Sequence, residues 1–244
     1  MKVLITGASS GIGAACAEKF AENGHTLILM ARRADRLEKL KSKYKNCYTF
    51  AQDVSDLVSL EKTIKENASL FLDIDVVINN AGLALGLNKF QDSKISDLET
   101  MIDTNFKALV FISKLILPFF LQRNAGHIIN LGSVAARWNY PQGHIYCATK
   151  SAVHALTQSM RYDLLGTNIR VSEISPGMVE TEFSEVRLGD ADKAKKVYAG
   201  MKPLTSFDIA ESIYWISQRP AHVNIQELVI YPTAQAAPGF VHRD

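Results

Sequence analysis

Residues 5–13 read ITGASSGIG, which places Gly7, Gly11 and Gly13 between a short apolar run and a helix-like stretch. The glycines fall where a first strand, residues 2–6, turns into a first helix. Such a turn brings backbone N–H groups and the positive end of a helix dipole to one point, which favours a phosphate group. The spacing G-x-x-x-G-x-G differs from the G-x-G-x-x-G dinucleotide fingerprint and from a P-loop. On spacing alone, a tight strand–helix connection without a ligand is the alternative interpretation.

Short apolar runs alternate with longer amphipathic segments along the whole chain. Seven strands are predicted: KVLIT (2–6), TLILMA (26–31), CYTFA (47–51), DVVIN (75–79), HIINL (127–131), RVSEI (170–174) and ELVIY (227–231). Helical patterns fall near residues 12–23, 34–44, 56–68, 97–121, 144–165, 191–200 and 207–218. Because most of the strands are nearly continuously apolar, they suit a parallel sheet covered by helices on both faces. The alternation predicts a doubly wound α/β fold.

Length and composition predict a single domain covering residues 1–244, since no linker, repeat or low-complexity tract divides the chain. Hydrophobic residues make up 47% and charged residues 21%, as in an ordinary globular protein with a sizeable core. The net charge of +2 is too small to indicate a nucleic-acid or membrane surface. We therefore expect neither a nucleic acid nor a membrane among the partners.

Cysteine and histidine usage argues against disulfides and metals. The cysteines, Cys16, Cys47 and Cys147, are too few and too widely spaced for a disulfide framework or a zinc site, and they fit a reducing cytoplasm. The histidines show no metal-ligand spacing, so no metal is predicted. The N-terminus lacks the apolar core of a signal peptide. The longest apolar run, 108–121, contains a lysine and a proline and is shorter than a membrane span, so we interpret it as a buried helix.

Two segments near the C-terminus are expected to be irregular. Residues 177–205 follow a Pro-Gly turn and mix charges with glycines, which predicts a substrate lid, because long insertions after a strand often form lids or binding loops. We call residues 177–205 the lid segment. Residues 232–244, the C-terminal tail, are expected to pack on a neighbouring element or on a partner subunit.

The end of the second strand bears on cofactor choice. In dinucleotide-binding folds an acidic residue at this place meets the adenosine ribose and selects NAD. Here the sequence is Met30-Ala31-Arg32-Arg33, without a carboxylate. Two guanidinium groups could hold a 2′-phosphate through charge-assisted hydrogen bonds, which favours NADP. A solvated start of a helix is the alternative role for this arginine pair.

Three side chains suggest proton transfer. Tyr146 and Lys150 are four residues apart in a helical pattern and therefore project from one face. A nearby ammonium favours the phenolate, so Tyr146 could exchange a proton with a substrate oxygen. Ser133 follows the strand HIINL at the carboxyl edge of the sheet, where it could hydrogen-bond the same oxygen. The surroundings of Ser133 lack the G-x-S-x-G elbow of hydrolases.

Together these motifs resemble the short-chain dehydrogenase/reductase family. The resemblance is carried by TGASSGIG (6–13), NNAG (79–82), Asn105 in DTNFKA, Ser133, YCATK (146–150) and PG (176–177). It spans nearly the whole chain and implies a Rossmann-type sheet of order 3-2-1-4-5-6-7. It also implies a nicotinamide cofactor and hydride transfer to or from a CH–OH group.

The resemblance assigns roles residue by residue. It implies Tyr146 as general acid/base, Ser133 as the group that positions the substrate oxygen, and Lys150 as a ligand of the nicotinamide ribose that lowers the pKa of Tyr146. Asn105 would hold a water that links Lys150 to solvent. The implied cofactor contacts are Gly7, Ser9, Ser10, Gly11, Ile12, Gly13, Arg32, Arg33, Asp53, Val54, Asn79, Ala81, Gly82, Tyr146, Lys150, Pro176, Gly177, Val179 and Thr181. Without the family resemblance, Asp53 would be interpreted as part of a helix N-cap and Asn79 as part of a turn at the end of a strand.

Further stretches resemble the NADP-dependent serine and 3-hydroxy acid dehydrogenase group of this family: NNAGLALG (79–86), LETMIDTN (98–105), EFSEVR (182–187), RPAHVNI (219–225) and YPTAQ (231–235). The resemblance implies oxidation of serine, allo-threonine or 3-hydroxypropionate, or reduction of the matching semialdehydes, by a homotetramer. Such substrates carry a carboxylate that needs a cationic or backbone partner. Arg187 is the first candidate and Arg137 the second, although an arginine that bridges surface carboxylates is an equal alternative.

Two other functions remain open at this point. A broad NADPH-dependent carbonyl reductase would use the same catalytic residues on bulkier ketones or aldehydes. A non-enzymatic nucleotide-binding sensor could use the same fold, because fold does not fix function. Such a sensor has little need for Ser133, Tyr146 and Lys150 together.

Overall fold

A seven-stranded sheet forms the centre of the computed structural model, which describes residues 1–244. Its strands are β1 (Lys2–Thr6), β2 (Thr26–Ala31), β3 (Cys47–Ala51), β4 (Val76–Asn79), β5 (Gly126–Leu131), β6 (Ile169–Pro176) and β7 (Glu227–Ile230). All neighbouring strands are parallel, and their order is β3-β2-β1-β4-β5-β6-β7. The predicted doubly wound parallel sheet and its strand order are confirmed.

Helices cover both faces of the sheet. They are α1 (Gly11–Glu22), α2 (Ala34–Lys43), α3 (Leu57–Glu66), α4 (Ala68–Phe71), α5 (Ile95–Ile102), α6 (Ala108–Arg123), α7 (His144–Asp163), α8 (Glu182–Leu188), α9 (Ala191–Val197) and α10 (Ser206–Ser217). A π-helical turn, Asp103–Lys107, joins α5 to α6, and short 3-10 turns lie at Phe90–Asp92 and Val134–Ala136. A small antiparallel pair, β8 (Gln235–Ala237) and β9 (Phe240–Val241), lies in the C-terminal tail.

The apolar strands feed two core layers because side chains alternate between the faces of a strand. In β1, Val3 and Ile5 pack into the layer beneath α1, α2 and α10, whereas Leu4 packs into the layer beneath α3 and α6. Both layers contain fully buried residues from the central strands. Burial on both faces accounts for the continuously apolar strand sequences.

The run Ile95–Arg123 is long and apolar enough to cross a bilayer by length and composition. In the folded protein, Ile112, Ile116 and Phe120 of α6 are almost fully buried against the sheet. Pro118 lies inside α6 without ending it, and Asn124 closes the helix in a left-handed conformation. This helical run is longer than the 97–121 predicted from the sequence, because the π-helical turn continues α5 into α6.

The lid segment differs from the irregular region expected from the sequence, because α8 and α9 occupy much of it. The helix α8 was not predicted. Its signals are nevertheless local: the Thr181 hydroxyl accepts a hydrogen bond from Phe183 N, and Gly189 ends the helix with φ +62°. Both are ordinary start and stop signals for a helix.

The C-terminal tail packs on its own chain. Arg243 donates to the carbonyls of Val197 and Ala199, and the backbone N–H of Asp244 donates to Gly200 O. These contacts fix the tail against the end of α9, since cationic groups and N–H donors satisfy the free carbonyls at a helix C-terminus. The tail therefore packs on a neighbouring element, which is one of the two alternatives predicted for it.

Candidate active site

A cavity of about 730 Å³ opens at the carboxyl ends of the strands, where ligands bind in open α/β sheets. Its wall combines the β1–α1 glycine turn, the ends of β2, β4, β5 and β6, the start of α7, the lid segment and the β8–β9 pair. The volume lies in the ordinary range for small-molecule sites. The predicted site residues that line it are Gly7, Ser9, Ser10, Gly11, Ile12, Arg32, Arg33, Asp53, Val54, Ala81, Gly82, Ser133, Tyr146, Lys150, Pro176, Gly177, Val179, Thr181 and Arg187.

The glycine turn between β1 and α1 exposes its backbone to the cavity, because its glycines have no side chains. Gly7 and Gly11 have φ of +65° and +52°, which residues with a Cβ rarely adopt. A Cβ on Gly13 would lie 2.4 Å from Gly7 O, so only glycine permits this close approach of helix to strand. Gly13 therefore serves the turn without lining the cavity. A cradle of this kind at a helix N-terminus fits a pyrophosphate.

The end of β2 carries the predicted arginines, and a third arginine joins them. Arg33 donates to the hydroxyls of Ser9 (3.1 Å) and Ser10 (2.5 Å) and to Glu182 Oε2 (2.8 Å). Arg36 donates to Glu182 Oε1 at 2.6 Å. Although partial burial acts to raise it, the hydrogen bonds from the two arginines hold the pKa of Glu182 below its usual value. These cations fit a 2′-phosphate.

Sequence reasoning missed Arg36 and Glu182. Arg36 lies three residues after Arg33 in α2, so the i, i+3 spacing of a helix could have indicated that they share a face. Glu182 approaches them from the lid segment, 149 residues away from Arg33 in the chain. No local pattern indicates such a contact.

Ser133, Tyr146 and Lys150 come together in the cavity wall. Ser133 follows β5 and begins the Val134–Ala136 turn, where its hydroxyl accepts from Ala135 N at 3.1 Å. Tyr146 and Lys150 share one face of α7, with Lys150 Nζ 5.9 Å from the centroid of the Tyr146 ring. Lys150 Nζ also donates to Leu131 O at 2.7 Å, which holds the ammonium beside the end of β5. The structure thus brings together the helical pair Tyr146 and Lys150 and the strand-end residue Ser133.

Burial dominates the pKa shifts in this group. Burial raises the pKa of Tyr146, and the nearby Ser133 hydroxyl only partly opposes this shift. Burial also lowers the pKa of Lys150 to about 8, against the opposing influence of Glu173. Loss of hydration is thus the main cause of both shifts, and the influence of Lys150 on the pKa of Tyr146 stays a prediction.

Asn105 lies beside this group but does not line the cavity. Its side-chain amide is 1% exposed and forms hydrogen bonds with Leu83 N, Leu83 O and Thr149 Oγ1. A Cβ on Gly82 would lie 3.2 Å from Asn105 Oδ1 and 3.6 Å from Lys150 Nζ. Both side chains therefore border Gly82. The water-holding role of Asn105 stays a prediction.

Asn79 is placed differently from the prediction. Its side chain is buried inside the sheet edge, where it donates to Asn130 Oδ1 at 2.8 Å and Ser113 Oγ at 3.0 Å. Asn80 lines the cavity instead, held by a hydrogen bond from its amide to Thr6 O at 2.8 Å. The sequence NNAG contains both residues, and only the alternation of β4 side chains decides which one faces the cavity.

Arg187 lies next to the phenol of Tyr146. Its guanidinium carbon is 5.8 Å from the Tyr146 ring centroid, and the group donates to Tyr140 Oη at 2.8 Å and to Gly86 O at 3.3 Å. Tyr140 is a cavity residue that the sequence did not indicate. Arg137, the second candidate, does not line the cavity and pairs with Glu227. The geometry therefore favours Arg187 as the cation for a substrate acid.

A group of possible metal ligands lies behind the site. His154, Glu173 and Glu227 come from three elements and place ligand atoms within 4.8 Å of one another. His154 Nδ1 is 2.8 Å from Glu173 Oε2, and Arg137 pairs with Glu227. The carboxylates are thus balanced by basic groups of the protein, and no metal is invoked. Spacing along the sequence could not reveal this group.

Comparisons with known proteins agree with this geometry. The family model for "short chain dehydrogenase" matches residues 1–191. The chain therefore belongs to the short-chain dehydrogenase family. It is 44% identical to the "NADP-dependent 3-hydroxy acid dehydrogenase YdfG" of Salmonella typhi, with 100% of both chains covered. It is also 44% identical to "Sulfoacetaldehyde reductase 2" of Chromohalobacter salexigens, over 99% of this chain and 98% of that protein.

A solved structure, "The Closed form of serine dehydrogenase complexed with NADP+", superposes with a TM-score of 0.95 at 43% identity and covers 100% of both chains. Family membership and the resemblance to the serine and 3-hydroxy acid dehydrogenase group are confirmed by these relatives. The prediction of an NADP-dependent oxidoreductase that acts on a CH–OH group is likewise confirmed. A non-enzymatic sensor no longer fits.

Proposed function

We propose that this chain interconverts small 3-hydroxy acids and their 3-oxo forms with NADP(H), taking serine, allo-threonine or 3-hydroxypropionate as the acid. The observation that carries the proposal is the position of Arg187, whose guanidinium borders the same cavity as Ser133, Tyr146 and Lys150. A guanidinium suits a carboxylate because it offers parallel N–H donors in a planar fork.

The residues that would hold the cofactor are the glycine turn for the pyrophosphate, Arg32, Arg33 and Arg36 for the 2′-phosphate, and Lys150 for the nicotinamide ribose. When bound, the nicotinamide would supply the hydride chemistry, taking a hydride from the alcohol carbon in oxidation and giving one to the carbonyl carbon in reduction. Tyr146 and Ser133 take part in the proton transfer. In reduction, Tyr146 donates its phenolic proton to the carbonyl oxygen, while the Ser133 hydroxyl positions that oxygen.

In oxidation the same phenol must first lose its proton. The Lys150 ammonium and the Arg187 guanidinium both lie near its ring, and positive charge favours the phenolate over the phenol. Tyr146 then removes the hydroxyl proton of the substrate. Because burial raises the pKa of this phenol, oxidation should depend more strongly on alkaline pH than reduction does.

A relative also supports a neighbouring substrate class. The relative named "Sulfoacetaldehyde reductase 2" is 44% identical to this chain. Sulfoacetaldehyde is a small aldehyde that carries a sulfonate anion. Arg187 would suit a sulfonate as it suits a carboxylate. Reduction of short anionic aldehydes is therefore the second candidate, and a broad reductase of neutral carbonyls is the third.

A panel of cofactors and substrates tests the proposal. Purified protein should oxidise 3-hydroxy acids with NADP+ far faster than with NAD+, and it should reduce their semialdehydes with NADPH. Preference for sulfoacetaldehyde would favour the second candidate. If the protein reduces neutral aromatic ketones but does not oxidise the 3-hydroxy acids, the proposal is wrong and the broad carbonyl reductase is favoured.

We also propose that the protein works as a cytoplasmic homotetramer. The cysteines are all unpaired and buried, which suits a reducing compartment. Large apolar side chains are exposed on α5 and at the end of α7, namely Ile95, Ile102, Tyr162 and Leu165. Exposed apolar patches favour association. Light scattering on the purified protein measures the mass of the oligomer, and a monomer would contradict this proposal.

A further inference from the structure

The helix α8 spans from the phosphate-binding arginines to the catalytic pocket. Its first residue, Glu182, bonds Arg33 and Arg36, and Arg187, five positions later, borders Tyr146. A helix of this length is a rigid element about 7 Å long between those residues. Because α8 joins these two side chains, a change in how Glu182 is held can be transmitted to Arg187, which Gly86 and Tyr140 also hold.

The two ends of the lid segment that carries α8 meet at a short β-bridge. Val179 pairs with Leu204 as an isolated bridge, Glu180 N donates to Leu204 O at 2.8 Å, and Leu204 N donates to Met178 O at 3.0 Å. Both ends of the lid segment thus start from the same place. Its orientation depends on the contacts that its helices make beyond this bridge.

Arg33 and Arg36 connect the lid segment to the rest of the cavity wall. Arg33 holds two serine hydroxyls of the glycine turn and one Glu182 oxygen at the same time. A guanidinium carries more N–H donors than these bonds use. It can therefore bind an anion while it keeps Glu182.

We propose that Glu182 couples recognition of the 2′-phosphate to the substrate end of the site. A phosphate bound to Arg33 and Arg36 fixes these two side chains, and they in turn fix Glu182. The helix α8 then presents Arg187 to the substrate acid. The inference rests on the proposed function. The coupling follows because a side chain already ordered by one partner loses less conformational entropy when it binds the next. Glu182 is on this account a positioning residue that lets the hydroxy acid site distinguish NADP from NAD.

The first test measures hydrogen exchange of the backbone amides in α8 with saturating NADPH and with saturating NADH. The wild type should show stronger protection of residues 182–188 with NADPH. In Glu182→Gln, which keeps the size of the side chain but removes its charge, the two cofactors should give equal protection. Glu185→Gln is the matched control, since Glu185 is exposed on the same helix. Glu182→Asp should retain part of the difference.

The second test measures steady-state kinetics with NADP+. Glu182→Gln should raise the KM for the hydroxy acid about threefold to tenfold, with less change in kcat, as expected for a partly exposed ion pair. An unchanged KM, or a difference in α8 protection that survives in Glu182→Gln, would overturn the coupling. Equal protection by both cofactors in the wild type would overturn it as well.

The proposed function fails in a distinguishable way. Dissociation constants for NADPH and NADH, measured on the wild type by quenching of protein fluorescence, test the cofactor assignment without any turnover. Wild-type protein that binds NADH as tightly as NADPH, or that oxidises no hydroxy acid, would contradict the proposed function whatever Glu182 does.

Discussion

The protonation of two neighbouring residues sets the chemistry at the residue scale. Burial pushes the pKa of Tyr146 upward and brings the pKa of Lys150 down to about 8. Near neutral pH the protein alone therefore keeps a protonated phenol beside an ammonium. Such a pair is ready to protonate a carbonyl oxygen. Oxidation of an alcohol requires additional positive charge next to the phenol.

Replacing Tyr146 by phenylalanine removes the proton donor and keeps the ring. We expect kcat to fall roughly 10²- to 10⁴-fold, the usual contribution of a general acid or base. NADPH binding should persist, because the phenolic oxygen forms none of the contacts of the glycine turn or the arginines. Tyr162→Phe, at an exposed position on the same helix, is the control. Residual turnover close to the wild-type rate would contradict the role of Tyr146.

Arg187→Gln tests the substrate cation. Loss of a charge-assisted hydrogen bond to a carboxylate should raise the KM for a 3-hydroxy acid about tenfold to a hundredfold. The KM for a small neutral aldehyde should change little, and this comparison serves as the control within one variant. An equal effect on both substrates would mean that Arg187 only maintains the shape of the pocket through Tyr140 and Gly86.

The sequence could predict candidate catalytic residues where they lie on one element or directly follow a strand. Tyr146 and Lys150 are a single helical turn apart, and Ser133 follows the end of β5. It could not predict Tyr140, Glu182 or the choice of Asn80 over Asn79. These positions depend on contacts between distant segments, which leave no periodicity in the chain.

At the scale of elements, β6, β7 and α7 meet in a buried polar cluster behind the site. Glu173 of β6 is 1% exposed, accepts from Ser175 Oγ at 2.7 Å and lies 2.8 Å from His154 of α7. A Cβ on Gly132 would come within 2.1 Å of the Glu173 carboxylate. Glu173 therefore packs directly beneath the backbone that carries Ser133, and its charge supports the protonated form of Lys150.

Glu173→Gln should move the pKa of Lys150 further down, because burial then acts without the opposing carboxylate. The alkaline limb of kcat/KM against pH, which reports groups of the free enzyme, should shift to lower pH. Glu173 is also surrounded by other titratable or charged groups, namely His154, Glu227, Arg137 and Arg161. The variant must therefore be compared with one that keeps every charge of this cluster.

Ser175→Ala provides that comparison, since it removes the hydrogen bond to Glu173 and keeps every charge of the cluster. Its alkaline limb should coincide with that of the wild type. If both variants shift the limb equally, packing rather than charge explains the effect, and the electrostatic influence of Glu173 on Lys150 is wrong.

The elements themselves could be predicted well where burial is periodic. The predicted strands agree with the observed ones to within two residues at each end, because parallel strands buried on both faces are continuously apolar. The helix α8 escaped prediction, since only Ser184 among its seven residues is buried. Its position depends on Glu182 and Arg187, whose partners lie far away in the sequence.

At the scale of the whole molecule, long-range contacts join the last residues to the lid segment. Gln235 is buried, its side-chain oxygen accepts from Met178 N at 2.8 Å, and Arg243 caps the end of α9. The cavity is thus closed by contacts between residues that lie 44 to 57 positions apart in the chain. Hydrophobic patterning predicted the sheet, but closure of the site depends on polar contacts that carry no such pattern.

Stability of the whole molecule should depend on pH through His127 of β5. This side chain is 1% exposed and bonds Ser172 Oγ at 2.7 Å, and burial, together with the charge of Arg170, lowers its pKa to about 3. In the unfolded chain this histidine has an ordinary pKa of about 6.5. Below that pH the unfolded chain therefore binds a proton at His127 that the folded protein does not bind. The contribution of His127 to stability is therefore fully present above about pH 6.5 and is lost as the pH falls toward 3.

Denaturant unfolding at pH 7 and pH 5 measures this effect. His127 should account for about 2 kcal/mol of the stability lost between these two values. His127→Gln should be less stable at pH 7, since it disturbs the buried contact with Ser172, but its free energy of unfolding should fall by about 2 kcal/mol less on acidification. His222→Gln is the control, because His222 is exposed and its replacement should leave the pH dependence unchanged. An equal loss in the wild type and in His127→Gln would show that the acid sensitivity originates from other groups.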